Sequence, residues 1–60
     1  MCETNAYLLR GGKEELIMED VALVLRKDGK LALKDIFGEE KAISGDIREI
    51  QFLDHKILIE

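Results

Sequence analysis

The 60-residue sequence has no proline, no tryptophan, one cysteine, one histidine and three aromatic residues. One cysteine cannot form a disulfide within the chain, so no internal cross-link stabilises a monomer. A chain this short removes only about 60% of its unfolded surface from water on folding, and its core is expected to be thin. Such proteins usually gain stability from disulfides, metals or a partner subunit. The sequence therefore predicts a homodimer, with a bound metal as a further source of stability.

Long hydrophobic runs are also missing. The longest uninterrupted apolar run, residues 21–25, has five residues, which is far too few to cross a bilayer. We expect no charged leader with an apolar stretch before the domain. Apolar residues make up 47% of the chain and charged residues 37%, which is typical of an ordered globular domain. We therefore expect one domain over residues 1–60, located in the cytoplasm without membrane contact, where its thiol stays reduced.

Basic residues are not in excess: nine Lys and Arg stand against 13 Asp and Glu, for a net charge of −4. The average field therefore repels polyphosphates. An RNA-binding barrel needs a basic stripe with stacking aromatics, whereas the basic residues here are scattered among acids and the fold can consume all three aromatics. A small β-barrel RNA-binding module is the alternative function, and its best candidate patch lies on one hairpin: Arg26, Lys27, Lys30 and Lys34.

The five glycines divide the chain into runs of strand length rather than helix length. Seven strands are predicted, over residues 2–9, 14–18, 21–26, 31–36, 40–44, 46–53 and 57–60. The first two are expected to pair across a loop at residues 10–13. Asp28-Gly29 is the clearest turn, because Asp-Gly between apolar runs favours a two-residue hairpin. The third and fourth strands are therefore predicted to pair.

Two runs carry further predictions about burial and shape. Residues 21–26 are rich in branched aliphatic side chains, which suits a well-buried strand. Residues 46–53 fit neither a helical nor a strand period, and we interpret them as a strand with a bulge near Arg48 and Glu49, with a single helical turn over 46–50 as the alternative. The fold class is all-β, a small SH3-like barrel of about six to seven short antiparallel strands connected as a meander. Both faces of the first strand turn apolar near Leu8 and Leu9, which favours a dimer contact.

Four segments resemble the CooT family of small nickel-binding proteins: MCETNAYL at the start, EELIMEDV from residue 14, DIFGE from residue 35 and DHKILIE from residue 54. The resemblance covers essentially the whole chain. It implies a cytoplasmic homodimer of SH3-like barrels that binds nickel through the cysteine after the initiator methionine, and an accessory role in delivering nickel to carbon monoxide dehydrogenase. Some relatives carry a label of predicted RNA-binding protein. Only Cys2 matches the metal motif of the family.

Elementary coordination chemistry sets the requirements for a site at Cys2. One thiolate per chain is too few for a strong transition-metal site, but a two-fold axis can bring two together and bind one Ni(II) per homodimer. Each Cys2 could add its own amine if Met1 is removed, or a deprotonated backbone amide if it is retained. Low-spin Ni(II) suits a planar set of two sulfurs and two nitrogens, whereas Zn(II) prefers a tetrahedron. The structural alternative is that Cys2 is a small, partly buried residue at a frayed chain end.

Three other residues are weaker candidates. Glu3 could offer an axial oxygen or accept a hydrogen bond beside the metal, but strand alternation points it away from the side of Cys2, and the same argument applies to Asn5. His55 carries an imidazole, which suits nickel, although its polar neighbours predict a surface turn. Nothing in the sequence brings Cys2 and His55 together as nucleophile and base, and a barrel of 60 residues has little room for a substrate cleft. The protein is therefore not expected to be an enzyme.

Overall fold

The structure is a computed structural model that describes residues 3–60. Within that range the chain forms seven β-strands and no helix, which confirms the all-β class and the predicted number of strands. None of the described residues belongs to a helix long and apolar enough to span a membrane. The strands are β1 Asn5–Arg10, β2 Lys13–Met18, β3 Val21–Lys27, β4 Lys30–Asp35, β5 Glu40–Ile43, β6 Ile47–Gln51 and β7 Lys56–Ile59.

Both predicted hairpins are confirmed. β1 and β2 pair antiparallel, with Arg10 opposite Lys13 across the two-glycine turn. β3 and β4 also pair antiparallel, and their turn consists of Asp28 and Gly29 with φ angles of 53° and 77°. Two consecutive left-handed residues are what a primed turn requires, and the Asp-Gly pair adopts this conformation at low steric cost.

The strands form two sheets that are not closed into a barrel, so the predicted SH3-like barrel is confirmed only in its strand content. The four-stranded sheet has the order β2-β1-β7-β6, and the three-stranded sheet has the order β3-β4-β5. The predicted antiparallel meander is also wrong, because β2 does not pair with β3 and β5 does not pair with β6. In addition, β1 and β7 pair in parallel, with Ala6 opposite Ile57. Both strands carry fully or nearly buried side chains, and the centre of a sheet is where such strands are best protected from water.

The core lies between the two sheets and is as thin as the chain length predicts. Its buried residues come from four of the seven strands: Ala6, Met18, Leu31, Leu33, Ile57 and Ile59. The prediction that β3 is well buried is wrong, because only Val21 and Val24 are half-buried and Leu23 keeps 46% of its surface exposed. β3 is an edge strand, and the side chains of the central strand β4 already fill the core beside it.

β6 settles the ambiguous run at residues 46–53 in favour of a strand. Its pairing with β7 shifts register between Ile47 and Glu49, which confirms the predicted bulge near Arg48 and Glu49 and excludes the helical turn. The extra residue explains why the apolar positions fitted neither period, since a bulge moves every later side chain to the other face of the strand.

Gly45 precedes β6 at a point where the backbone passes close to residue 60. The backbone amide of Asp46 donates to the carbonyl of Glu60 (3.0 Å), and the amide of Glu60 donates to the carbonyl of Asp46 (2.9 Å). A Cβ atom on Gly45, whose φ is 145°, would lie 2.8 Å from the carbonyl oxygen of Glu60. Only glycine therefore allows this reciprocal pair of hydrogen bonds.

Replacing Gly45 by alanine should lower the free energy of unfolding by about 2 kcal/mol, because backbone strain and the clash with Glu60 add. Urea denaturation measures the change. Gly29→Ala is the matched control, since Gly29 also has a positive φ but nothing within 4 Å of an added Cβ, and its cost should be about 1 kcal/mol. Equal losses in the two variants would show that the approach of Glu60 is unimportant.

Candidate functional site

The predicted metal ligand Cys2 lies outside the described residues, so its role stays a prediction. The described chain begins with Glu3, which is exposed, and continues with Thr4 and Asn5, which are half-buried. Among residues 3–60, no three His, Cys, Asp or Glu side chains are grouped as a metal site. What the structure describes near the candidate site is therefore the segment that immediately follows Cys2 and the residues around that segment.

Three hydrogen bonds hold Thr4 and Asn5, and we call this arrangement the N-terminal clamp. The carbonyl of Thr4 accepts a hydrogen bond from the amide of Val21 (2.7 Å), and the amide of Asn5 donates to the carbonyl of His55 (2.9 Å). The side-chain Oδ1 of Asn5 accepts a third hydrogen bond from the amide of Asp20 (3.2 Å). Because Val21 begins β3 and His55 precedes β7, the clamp ties the start of the chain to both sheets.

The two partners of Asn5 are in an unusual backbone conformation. Asp20 and His55 have φ angles of 54° and 52°, in the left-handed region that non-glycine residues seldom occupy. Such residues persist only where surrounding contacts outweigh their conformational cost. Each of them gives a backbone group to Asn5, so the clamp is part of what holds both turns in this conformation.

Beside the clamp is an apolar cleft of about 370 Å³ between edge strand β3 and the end of β6. Phe52 and Leu53 project from the turn after β6, with 81% and 96% of their surfaces exposed. Exposed apolar side chains beside an apolar cleft are typical of an interaction site. The cleft is lined by Thr4, Val21, Ala22, Leu23, Val24, Ile50, Gln51, Phe52, His55 and Ile57.

The weaker candidates have different outcomes. Glu3 is exposed, as predicted for a solvated edge residue. Asn5 has a structural role in the clamp that strand alternation did not indicate. His55 lies in an exposed turn, which confirms the predicted turn, and it also lines the apolar cleft together with Thr4. The structure thus brings His55 to the segment that follows Cys2 in sequence, whereas their distance in sequence gave no sign of it.

The prediction that the fold consumes all three aromatic residues is wrong for two of them. Tyr7 is half-buried, but Phe37 and Phe52 keep 78% and 81% of their surfaces exposed. In the sequence, the exposed position of Phe52 and Leu53 is indicated only by the irregular spacing of the apolar residues 50, 52 and 53. It could be recognised as surface only once the bulge in β6 was known.

The basic hairpin proposed for RNA binding is partly neutralised. Arg26 forms an ion pair with Asp46, and the cavities that the two exposed phenylalanines line include none of the four basic residues of this hairpin, although a stacking platform combines aromatic and basic side chains. Phe52 lines the apolar cleft, and Phe37 lines a cavity among acidic side chains. The exposed aromatics and the basic residues therefore belong to different surfaces.

Lys56 follows His55 and begins β7 in the four-stranded sheet. Its Nζ donates to Oε1 of Glu14 (2.7 Å) and lies 5.0 Å from the ring centroid of Tyr7. The hydrogen bond to Glu14 raises the pKa of Lys56 above its ordinary value. Lys56 joins β7 to β1 and β2 by charge and cation–π contacts.

Comparison with known proteins agrees with the resemblance seen in the sequence. One protein family, described as "CO dehydrogenase accessory protein CooT", matches residues 1–60. An uncharacterized protein of Methanocaldococcus jannaschii is 40% identical over 60 residues, which cover 100% of this chain and 98% of that protein. The crystal structure of a candidate CooT from Carboxydothermus hydrogenoformans has a TM-score of 0.91 and 39% identity, over 98% of this chain and 95% of the other.

The family match extends over the full length, and the two similar proteins are matched almost from end to end. The agreement includes the fold, since a TM-score of 0.91 requires the same strands in the same arrangement. The chain belongs to the CooT family of CO dehydrogenase accessory proteins.

Proposed function

We propose that this protein is a cytoplasmic nickel-binding accessory protein that holds one Ni(II) between the Cys2 residues of two chains and delivers it to carbon monoxide dehydrogenase. Family membership supports the accessory role. The observation that carries the proposal is the N-terminal clamp beside an exposed apolar cleft. The clamp holds Thr4, which follows Cys2 by two residues in sequence, in the lining of the cleft. The protein holds cargo and is not itself a catalyst.

Chain length limits where Cys2 can act. Consecutive Cα atoms are about 3.8 Å apart, so two residues of chain reach about 7 Å beyond Thr4. Thr4 lines the apolar cleft and is held by Val21. Two chains that cover each other's clefts would therefore bring their first residues within reach of the same axis. The metal site and the dimer contact are two parts of one proposal.

The occupant that best fits the cleft is a second copy of the chain. A two-fold contact uses the same surface on both subunits, and the surface beside the cleft is apolar rather than charged: Leu23, Ile50, Phe52 and Leu53. A standard interface buries about 800 Å² on each partner, which is roughly a fifth of the 4391 Å² surface of this chain. Covering that fraction would supply the burial that a core of this size lacks.

The donor chemistry at Cys2 suits nickel. Two thiolates and two nitrogens from the chain starts form a compact set of strong-field donors, for which Ni(II) adopts a planar arrangement. Copper binds such donors more tightly in general, so selectivity has to come from the geometry that the dimer imposes. Ligands at a chain terminus can also be exchanged with a client enzyme without opening the sheets.

Titration of the protein with Ni(II), followed by sulfur-to-nickel charge-transfer absorbance, should saturate at one metal per two chains. Cys2→Ser should abolish the absorbance because it removes the thiolate. His55→Asn is the control, since asparagine tolerates the left-handed backbone of His55 and removes the imidazole, and it should keep the stoichiometry. Saturation at one metal per chain, or unchanged binding by Cys2→Ser, would refute the proposal.

The double substitution Phe52→Ser and Leu53→Ser should weaken the metal-free dimer by about a hundredfold, because two exposed anchors of the interface lose their apolar surface. Sedimentation equilibrium measures the association, and circular dichroism should show an intact fold because both side chains are exposed. Phe37→Ser, on a different surface, should leave the dimer unchanged. A wild-type protein that is a folded monomer at micromolar concentration without metal would contradict this interface.

Asn5→Ala should lower the free energy of unfolding by about 1 kcal/mol, because the amide of Asp20 loses its acceptor. It should also weaken nickel binding, since the clamp no longer fixes the start of β1. Asn5→Asp keeps the accepting oxygen and should restore both properties. Asp35→Ala is the matched control for general loss of stability, because Asp35 also accepts backbone hydrogen bonds, in the turn after β4. Wild-type nickel affinity in Asn5→Ala would contradict a role for the clamp in the site.

A further inference from the structure

A second exposed apolar group lies in the turn between β4 and β5. Ile36 and Phe37 keep 52% and 78% of their surfaces exposed, and we call these two residues the Phe37 tip. The surface of a chain this small contains few other aromatic groups, and aromatic side chains are the commonest anchors of protein interfaces. The tip is separate from the apolar cleft at Phe52.

The Phe37 tip is held outward by a turn built around Asp35, a buried acid with 8% of its surface exposed. Oδ1 of Asp35 accepts hydrogen bonds from the amides of Phe37 and Glu39, both at 2.9 Å. The backbone closes the same turn, with the amide of Asp35 donating to the carbonyl of Glu39 (3.0 Å) and the amide of Gly38 donating to that of Asp35 (3.1 Å). Because the backbone of this turn is already fixed, it loses little conformational entropy on binding.

A short chain of hydrogen bonds connects the tip to the N-terminal clamp. The amide of Ile36 donates to the carbonyl of Asp20 (2.9 Å), and the amide of Asp20 donates to Oδ1 of Asn5 (3.2 Å). The tip and the start of β1 are therefore on either side of the same turn at Asp20. The Phe37 tip is thus connected by two hydrogen bonds to Asn5, which follows Cys2 by three residues in sequence.

The surroundings of the tip are acidic. Phe37 lines a cavity of about 350 Å³ whose charged residues are Glu19, Asp20, Asp35, Glu39, Glu40 and Lys41. The ammonium group of Lys41 donates to the backbone carbonyl of Ile17 (2.7 Å), so this positive charge is directed toward its own chain. The charge that a partner meets around Phe37 is therefore negative.

We propose that the Phe37 tip and its acidic rim dock the client enzyme, through an apolar pocket on that enzyme bordered by arginine or lysine. This inference rests on the proposed function for the identity of the client. Charge complementarity selects such a partner. A second copy of the chain fits the surface poorly, because a two-fold contact there would place the acidic rims of two chains against each other.

The test measures binding of the nickel-loaded dimer to the nickel-free carbon monoxide dehydrogenase of the same organism by biolayer interferometry. Phe37→Ser should weaken binding at least about tenfold, while Phe37→Leu retains an apolar anchor and should lose less. Nickel stoichiometry and the dimer should be unchanged in both variants. Neutralising the rim with Glu39→Gln and Glu40→Gln should slow association and reduce its dependence on salt.

A matched pair of substitutions distinguishes the effect of the acidic rim from the effect of the net charge of the protein. Asp28→Asn and Glu49→Gln change the net charge by the same amount at the far end of the β3–β4 hairpin and on β6, and they should leave association unchanged. Equal effects of the two pairs, wild-type binding by Phe37→Ser, or no binding by the wild type at low salt would each overturn the docking surface. Dissociation of the dimer by Phe37→Ser would also overturn the docking surface, because it would show that the Phe37 tip belongs to the contact between subunits. None of these results changes the nickel titration, which by itself decides whether Cys2 of two chains holds the metal, whereas an absence of wild-type binding would count against delivery to this enzyme.

Discussion

The parallel ladder between β1 and β7 is the interaction on which the rest of the structure depends. It places the first and last strands in the centre of the four-stranded sheet and aligns Ala6 with Ile57 in the core. The N-terminal clamp follows from it, because the residue before β7 is His55, whose carbonyl receives the amide of Asn5. Without this pairing the segment after Cys2 would have no defined position relative to the cleft.

The features that the sequence predicted correctly are local ones. The Asp28-Gly29 turn, the pairing of β1 with β2 and the bulge in β6 each depend on residues close together in the chain. The parallel pairing of β1 with β7 and the division into two sheets join distant segments, and no short pattern encodes them. The burial of β3 was misjudged for the same reason, since an apolar strand is buried only if a neighbouring sheet covers it.

The candidate site divides in the same way. Cys2 was singled out as the one thiol, and the resemblance to CooT led to the correct family. The sequence suggested that the fold could use all three aromatic residues, but Phe37 and Phe52 are on the surface. The role of Asn5 was missed because its partners, Asp20 and His55, approach it only through the fold. The composition and length indicate that so thin a core needs a further source of stability, but they do not indicate which surface would be buried to provide it.

The position of β7 also has a consequence during synthesis. β7 leaves the ribosome after the other six strands, and β1 cannot complete its sheet until β7 arrives. The hairpins β1–β2 and β3–β4 are local and can form earlier. Throughout that interval the carbonyl of His55 has not yet met the amide of Asn5, so the N-terminal clamp closes only after the last strand has been synthesised.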